Sequence, residues 1–234
     1  MYKRQITFFS FIYHPTFSKT NNPNRSEDTI VHQITGSIAY VSIPDLFERS
    51  SLVVEGTISN ISDAFQIKSN SGTIANFCDY QFDVSSIIRG SLPDETNSVE
   101  IRVQGGTVGN YTEIYSGTPD FNVGDDYLLF LYQPGRGGSF NTEGDYYYVL
   151  GMCQGVFTKD DSGQYISQSG EELSNDYLIQ CATATNNTVD PNYFRNEYIE
   201  NQKRNLENGF LSQEEFDQLM LEIDDYATII SGND

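Results

Sequence analysis

Apolar and polar residues alternate along much of the chain between residues 52 and 167, and turn residues separate the alternating runs. Leu52–Ile61 alternates and contains Gly56, which indicates a bulge or a close approach of another strand. Asn76–Ile88 alternates more strictly. Its inward-facing side chains are predicted to be Cys78, Tyr80, Phe82 and Val84, and its water-facing ones Asp79, Gln81 and Asp83. Both segments are therefore predicted to be β-strands.

Further strand-like segments follow, namely Val99–Val103, Tyr127–Tyr132, Tyr146–Phe157 and Gln164–Ser167. Consecutive apolar residues in Tyr127–Tyr132 predict a strand that is buried on both faces. The segment from Tyr146 is predicted to be one long strand, broken by Gly151 and Gly155, and Asp160–Gly163 is predicted to be a hairpin turn. Five to seven strands joined by such turns predict a mainly β domain, a small closed barrel or a sandwich.

Two regions show helical patterns instead. Pro44–Ser51 has proline at a first-turn position and predicts a short helix before the first strand. Pro191–Asn205 predicts a helix that Asn208-Gly209 ends. Ser212 and Glu215 form a capping box for another helix. Apolar residues recur at helical spacing after it: Phe216, Leu219, Met220, Ile223 and Ile230. We therefore expect an acidic C-terminal α-hairpin that packs on the β domain or on a partner.

The beginning of the chain differs from the rest. Ile6–Phe17 is apolar and follows Lys3 and Arg4, as in a signal peptide whose apolar region is short and broken by Pro15. It is too short to cross a bilayer. Tyr2–Gln5 matches the peptide encoded by an adaptor used in sequencing libraries, which leaves two interpretations open: a scar beside a truncated signal peptide, or an ordinary short leader. The predicted divisions are a leader and linker over 1–35, a β domain over 36–185 and a helical hairpin over 186–234.

The charge and the aromatic content of the chain limit which partners are expected. The 234 residues carry a net charge of −20, which repels the phosphates of nucleic acids and anionic lipids. Aromatic residues make up 13% of the chain, all Tyr and Phe, and these suit the half-buried surfaces of sheets. We therefore predict no nucleic-acid partner and no membrane-spanning segment.

Candidate cation sites are weak. Residues 204–215 resemble an EF-hand loop at Gly209 and Glu215, but Arg204 and Leu206 occupy positions that need oxygen ligands. The capping box explains the same residues. The acidic pairs at 125–126 and 160–161 form a cation site only if the fold brings them together, and solvated turn carboxylates are the favoured interpretation. No metal ligand or cofactor is assigned.

Catalytic residues are also scarce. The only histidines, His14 and His32, lie in the segment set aside as leader, so no Ser-His-Asp or Cys-His arrangement is predicted. A Gly-rich segment at 105–109 lacks the following helix that a phosphate-binding loop requires. The three cysteines Cys78, Cys153 and Cys181 exclude a disulfide-dense scaffold, and a single Cys153–Cys181 bond is left open. A carboxylate pair for glycoside hydrolysis also remains open, and no catalytic residue is assigned.

The order of motifs resembles a known group of proteins. The matching segments are Leu52–Ile58, Tyr80–Gly90, Ile101–Gly106, Phe121–Leu131, Tyr148–Gly151 and Gln154–Phe157. Over residues 40–158 the chain resembles uncharacterised bacterial secreted or cell-surface proteins with a barrel like that of the tissue inhibitors of metalloproteinases, the netrin-like variant of the OB fold. The resemblance implies a small closed OB-like barrel of five to seven strands with the α-hairpin at its C-terminal end.

The resemblance carries no activity over to this chain. Inhibitors of that fold bind the zinc of their target through an N-terminal cysteine, and no cysteine precedes Cys78 here. We expect a non-enzymatic binding or interaction module at the cell surface or outside the cell, with a protein or a glycan as its partner. The alternatives are a carboxylate-based hydrolase and a structural surface protein stabilised by divalent cations.

Overall fold

The computed structural model describes residues 16–20, 29–36, 38–92, 96–136, 138–184, 193–223 and 225–231. The chain is mainly β, as predicted. The strands are β1 Thr16–Thr20, β2 Thr29–Ile34, β3 Leu52–Ile61, β4 Phe65–Lys68, β5 Ile74–Arg89, β6 Ser98–Gln104, β7 Gly106–Val108, β8 Tyr111–Tyr115, β9 Asp126–Tyr132, β10 Tyr146–Val149, β11 Val156–Lys159, β12 Tyr165–Ser167, β13 Glu172–Leu173 and β14 Thr228–Ser231. The helices are α1 Ile43–Arg49, α2 Asn175–Ala184, α3 Tyr193–Glu207 and α4 Gln213–Glu222.

A ten-stranded sheet forms the main body. Its strand pairings lead from β3 to β5, then to β6, β10 and β9, and from β9 back to β3. All of these pairings are antiparallel except that of β10 with β6, which is parallel. The hairpin of β11 and β12 extends the sheet from β9, and β4 and β14 extend it from β5.

The apolar core has a layer on each face of β9. Tyr127, Leu129 and Leu131 pack in one cluster, to which β3, β5, β6 and β10 also contribute buried residues. Leu128 and Phe130 point the other way, into a second cluster under α1 and α2. The prediction that this strand is buried on both faces is confirmed. Helix α1 begins at the cap Ser42, and the capping box of α4 is also confirmed.

Gly56 lies where the sequence placed a bulge or a close approach, and both occur. The register of β3 against β5 shifts at this residue. A Cβ atom there would overlap the carbonyl oxygen of Asp83 on the paired strand. Only glycine therefore lets the two strands come this close.

Three sequence predictions about local structure are wrong. The segment after Tyr146 is two strands, because Gly151 adopts a left-handed conformation (φ 71°) and starts a short 3₁₀ helix. Ile230 lies in β14, which pairs with β4, instead of on a helix. Asp79 does not face water, since its side chain is 12% exposed and bonded to Arg102. For Ile230 and Asp79 a tertiary contact overrides the local pattern, whereas at Gly151 the backbone conformation of glycine ends the strand.

A second, smaller sheet contains β1, β2, β8 and β7. Strand β2 pairs in parallel with β8, and His32 lies beside Glu113. Strands β1 and β2, with His32, belong to the stretch that the sequence pattern predicted to be leader and linker, whereas His14 lies outside the described residues. The sequence also gave no signal for α2.

Cys78, Cys153 and Cys181 are all free cysteines, so no Cys153–Cys181 disulfide is present. Cys78 is half-buried, and this burial raises the pKa of its thiol.

Among the helices in the described segments, none combines the length and the apolar character needed to cross a membrane.

Candidate binding groove

A groove of about 740 Å³ lies between the main sheet and α3. It opens where β6 and β10 part, because their pairing ends at Ile101 and Tyr147. The residues that follow on both strands, Arg102–Gln104 and Tyr148–Val149, line the groove. Its volume lies within the range of small-molecule sites, roughly 300–1,000 Å³.

Aromatic rings form much of the wall on the sheet side. The rings of Phe77 and Phe140 are 5.6 Å apart, and those of Tyr132 and Tyr148 are 5.7 Å apart. All four residues line the groove. Burial raises the pKa of Tyr148 well above its ordinary value, so its hydroxyl stays protonated. The aromatic part of the wall is therefore uncharged.

Arg102 lies in this wall, but its charge is already matched. Its Nε and Nη2 atoms each donate to Asp79 at 2.7 Å, and Nη1 donates to Thr142 at 2.7 Å. The guanidinium carbon lies 3.8 Å from the centre of the Tyr146 ring. Burial opposes the charge, yet the Asp79 carboxylate outweighs burial and raises the pKa of Arg102. The residue holds the wall together and offers little to an anionic ligand.

A second guanidinium joins the helical wall to the fold. Arg49, at the end of α1, donates to the Glu197 carboxylate of α3 at 2.8 Å. Both residues line the groove, and Glu197 is the single carboxylate among the described lining residues. The lining therefore holds two guanidinium groups and one carboxylate, and Asp79, which lies outside the lining, balances the second guanidinium.

Carboxamides supply most of the remaining polar surface. Asn205 donates to Gln202 at 3.2 Å, and Asn141 donates to the Gly135 carbonyl at 2.8 Å. These bonds use the amide nitrogens of Asn205 and Asn141. Within the described part of the chain, their side-chain oxygens accept no hydrogen bond, so they remain as acceptors toward the groove.

Gln104, at the end of β6, adds a further carboxamide to the groove. A hydrogen-bond cluster lies nearby in the smaller sheet, where the Tyr115 hydroxyl donates to Glu113 at 3.2 Å. Burial and the Glu113 charge raise the pKa of Tyr115, so the phenol keeps the proton that it donates.

This hydrogen-bond chain continues to the histidine that the sequence pattern set aside. Glu113 is 4% exposed and accepts from the Asn76 backbone at 2.7 Å and from the Tyr111 hydroxyl at 3.1 Å. The same hydroxyl lies 2.8 Å from Nδ1 of His32. The parallel pairing of β2 with β8 creates this buried cluster. The two strands are far apart along the chain, so no local sequence pattern predicts that they pair.

The other sequence candidates do not gather into a site. Asp125 and Asp160 bond to residues of their own turns, at 3.1 Å to Asn122 and 2.7 Å to Ser162. No group of three or more His, Cys, Asp or Glu side chains in the described segments is arranged to hold a metal. The Gly-rich segment enters β7, and the EF-hand-like segment forms the capping box.

One carboxyl pair does exist, beside Arg102. Partial burial and the charge of Asp79 raise the pKa of Glu100. However, Arg102 binds both oxygens of Asp79, and its Nη2 atom lies 3.8 Å from the Glu100 carboxylate. This pair is part of an ion-pair network around Arg102, with Glu100 at its exposed edge.

No protein-family model matches the sequence, and no curated protein is significantly similar to it. The function must therefore be inferred from the chemistry of the groove.

Proposed function

We propose that the chain is a non-enzymatic binding module that holds its ligand in the groove between α3 and the main sheet. The observation that carries this proposal is a cavity of about 740 Å³ whose polar groups, apart from two ion-paired arginines and Glu197, are carboxamides and hydroxyls. Its two guanidinium groups are both paired with carboxylates. Such a lining suits reversible binding, because a concave surface with hydrogen-bonding groups can hold a ligand, and no activated nucleophile is among the groups described.

The hydrolase alternative is less well supported. Glycoside hydrolysis uses two carboxyl groups about 5–10 Å apart on either side of the scissile bond. Glu197 is the single carboxylate among the described lining residues, and Arg49 binds it. Arg102 binds both oxygens of Asp79, and neither Asp79 nor Glu100 lines the groove.

We further propose that the circuit of β3, β5, β6, β10 and β9 is an OB-like barrel of the netrin-like kind. Each of the five strands contributes buried residues to one apolar cluster, which supports a common interior. OB folds bind ligands on the face of their second and third strands and on the loop between the fourth and fifth. In this circuit those elements are β5, β6 and residues 133–145, and they supply Phe77, Gln104 and Phe140 to the groove.

An extracellular or cell-surface location remains our proposal for this module. The basic and apolar start of the sequence supports it, as do the strong negative charge and the resemblance to secreted bacterial proteins. Fractionation of the source cells with an antibody against the chain tests it. Recovery of the chain in the cytoplasmic fraction alone would contradict this location.

A nuclear magnetic resonance titration tests the binding function. The ¹⁵N-labelled chain is titrated with one panel of neutral oligosaccharides and one panel of short peptides. We expect at least one compound to shift the side-chain amide signals of Gln104, Asn141 and Asn205. Replacing Ser139 at the mouth of the groove with Trp should abolish these shifts, whereas Ser91→Trp in an exposed loop should preserve them.

The same samples test the hydrolase alternative. Each mixture is analysed for products after prolonged incubation. Products that appear with the parent chain and vanish with Glu197→Gln would refute the proposal that the module is non-enzymatic. A groove that responds to neither panel would refute the binding function.

A further inference from the structure

We infer that the ligand of the groove is a neutral saccharide, a conclusion that rests on the binding function proposed above. The first argument is charge. Arg102 gives both of its Asp79 bonds and its Thr142 bond within the fold, and Arg49 is bound to Glu197. Each guanidinium group already has a carboxylate partner, which disfavours a second anion in the groove. A cationic ligand would have to approach two guanidinium groups.

The second argument is the kind of hydrogen bond that the lining leaves open. The side-chain oxygens of Asn141 and Asn205 remain as acceptors, because no group in the described part of the chain donates to them, whereas their amide nitrogens donate within the fold. Asn201 differs, since its side-chain oxygen accepts from Arg204 and its amide nitrogen remains as a donor. A ligand with several hydroxyl groups can donate to the oxygens and accept from the nitrogen.

The third argument is the aromatic wall. The electron-rich face of an aromatic ring attracts the weakly positive C–H groups that line one face of a sugar ring. Phe77, Phe140 and Tyr148 provide such rings beside the carboxamides of α3 and the loop. A groove with aromatic rings on one side and carboxamides on the other fits a sugar, which has apolar faces and a polar rim.

The experiment uses the full chain and three defined sets of probes. The first set contains neutral hexasaccharides of glucose, xylose and mannose, the second contains oligogalacturonate, and the third contains short peptides. Dissociation constants are measured by titration and the site is located by the side-chain amide signals. We expect binding of at least one neutral hexasaccharide in the groove, and no binding of oligogalacturonate or peptides there.

Two matched variants locate the contact. Asn205→Leu keeps a side chain of similar size but removes one acceptor from the groove, so we expect saccharide binding to weaken about tenfold. Asn208→Leu makes the same change at an exposed position near the end of α3, outside the groove, and should leave binding unchanged. Circular dichroism confirms that both variants retain their helices.

Each other outcome has a distinct meaning. Peptides that bind the groove while saccharides do not would refute the saccharide inference and keep the binding function. Saccharide binding that Asn205→Leu leaves unchanged would refute the inference, because the carboxamides of α3 would then play no part. An absence of binding by all three sets would refute both the inference and the binding function.

Discussion

The ion pair of Arg102 with Asp79 should be a principal determinant of stability in this fold. Arg102 is 6% exposed, it donates twice to Asp79 at 2.7 Å, and it stacks on Tyr146. In Arg102→Met the apolar part of the side chain is kept, but the Asp79 carboxylate is left without its counter-ion. Removing one partner of a buried ion pair costs about 3–5 kcal/mol. We expect the lower half of that range, because the Asp79 side chain is still 12% exposed.

Urea unfolding followed by far-ultraviolet circular dichroism measures this loss. For a chain of this size we take a slope of about 3 kcal/mol per molar urea, so the midpoint should fall by about 1 M or slightly more. Lys203→Met provides the matched control. Lys203 and Glu200 also form an ion pair at 2.7 Å, but their side chains are 50% and 64% exposed. Its removal should cost less than about 1 kcal/mol.

The double variant Asp79→Leu/Arg102→Met separates the pair from its neighbours. A buried ion pair that is replaced by apolar residues of similar size often leaves stability unchanged. The double variant should therefore be more stable than Arg102→Met alone. A loss below about 1 kcal/mol in Arg102→Met, or a double variant at least as unstable as the sum of the two single changes, would refute this reasoning.

Three further predictions concern other parts of the fold. Gly56→Ala should lower the melting temperature more than any exposed Gly→Ala change, because its Cβ would overlap the carbonyl oxygen of Asp83; an unchanged melting temperature would contradict the close approach. Burial alone would raise the pKa of Glu55, but hydrogen bonds from Lys159 and Tyr165 lower this pKa below its ordinary value. Glu55→Gln should therefore destabilise the fold at pH 7, and this difference should vanish as the pH falls through the lowered pKa; equal losses at pH 7 and pH 2 would contradict it. Ser212→Ala removes the capping box of α4 and should cost about 1 kcal/mol in urea unfolding, whereas no loss would show that the cap contributes nothing.

Alternation of apolar and polar residues was sufficient to predict the strands at the centre of the sheet. Leu52–Ile61 is a strand with the same bounds in the structure. The consecutive apolar residues from Tyr127 occupy a strand with a core layer on each side. These predictions succeed because a strand buried on one face needs an apolar residue at every second position, and a strand buried on both faces needs apolar residues at consecutive positions.

A charged residue in a strand was harder to interpret. The pattern assigned Asp79 to solvent because it alternates with the predicted inward-facing residues Cys78 and Tyr80. In the structure Arg102 comes directly opposite it on β6, and the pair is buried together. Arg102 is 23 residues away from Asp79 along the chain. Only the register of β5 against β6 brings the guanidinium beside the Asp79 carboxylate and so allows the carboxylate to be buried.

The sequence by itself determined the mainly β class, the helix caps, the need for glycine at residue 56 and the absence of an evident catalytic motif. The tertiary structure decided where β6 and β10 part, how α3 covers the gap, and that β2 brings His32 to Glu113. The physical reason is the range of the interactions. Side-chain periodicity and capping act between near neighbours in the chain, whereas the groove and its hydrogen-bond chain depend on strands and helices that meet only after folding.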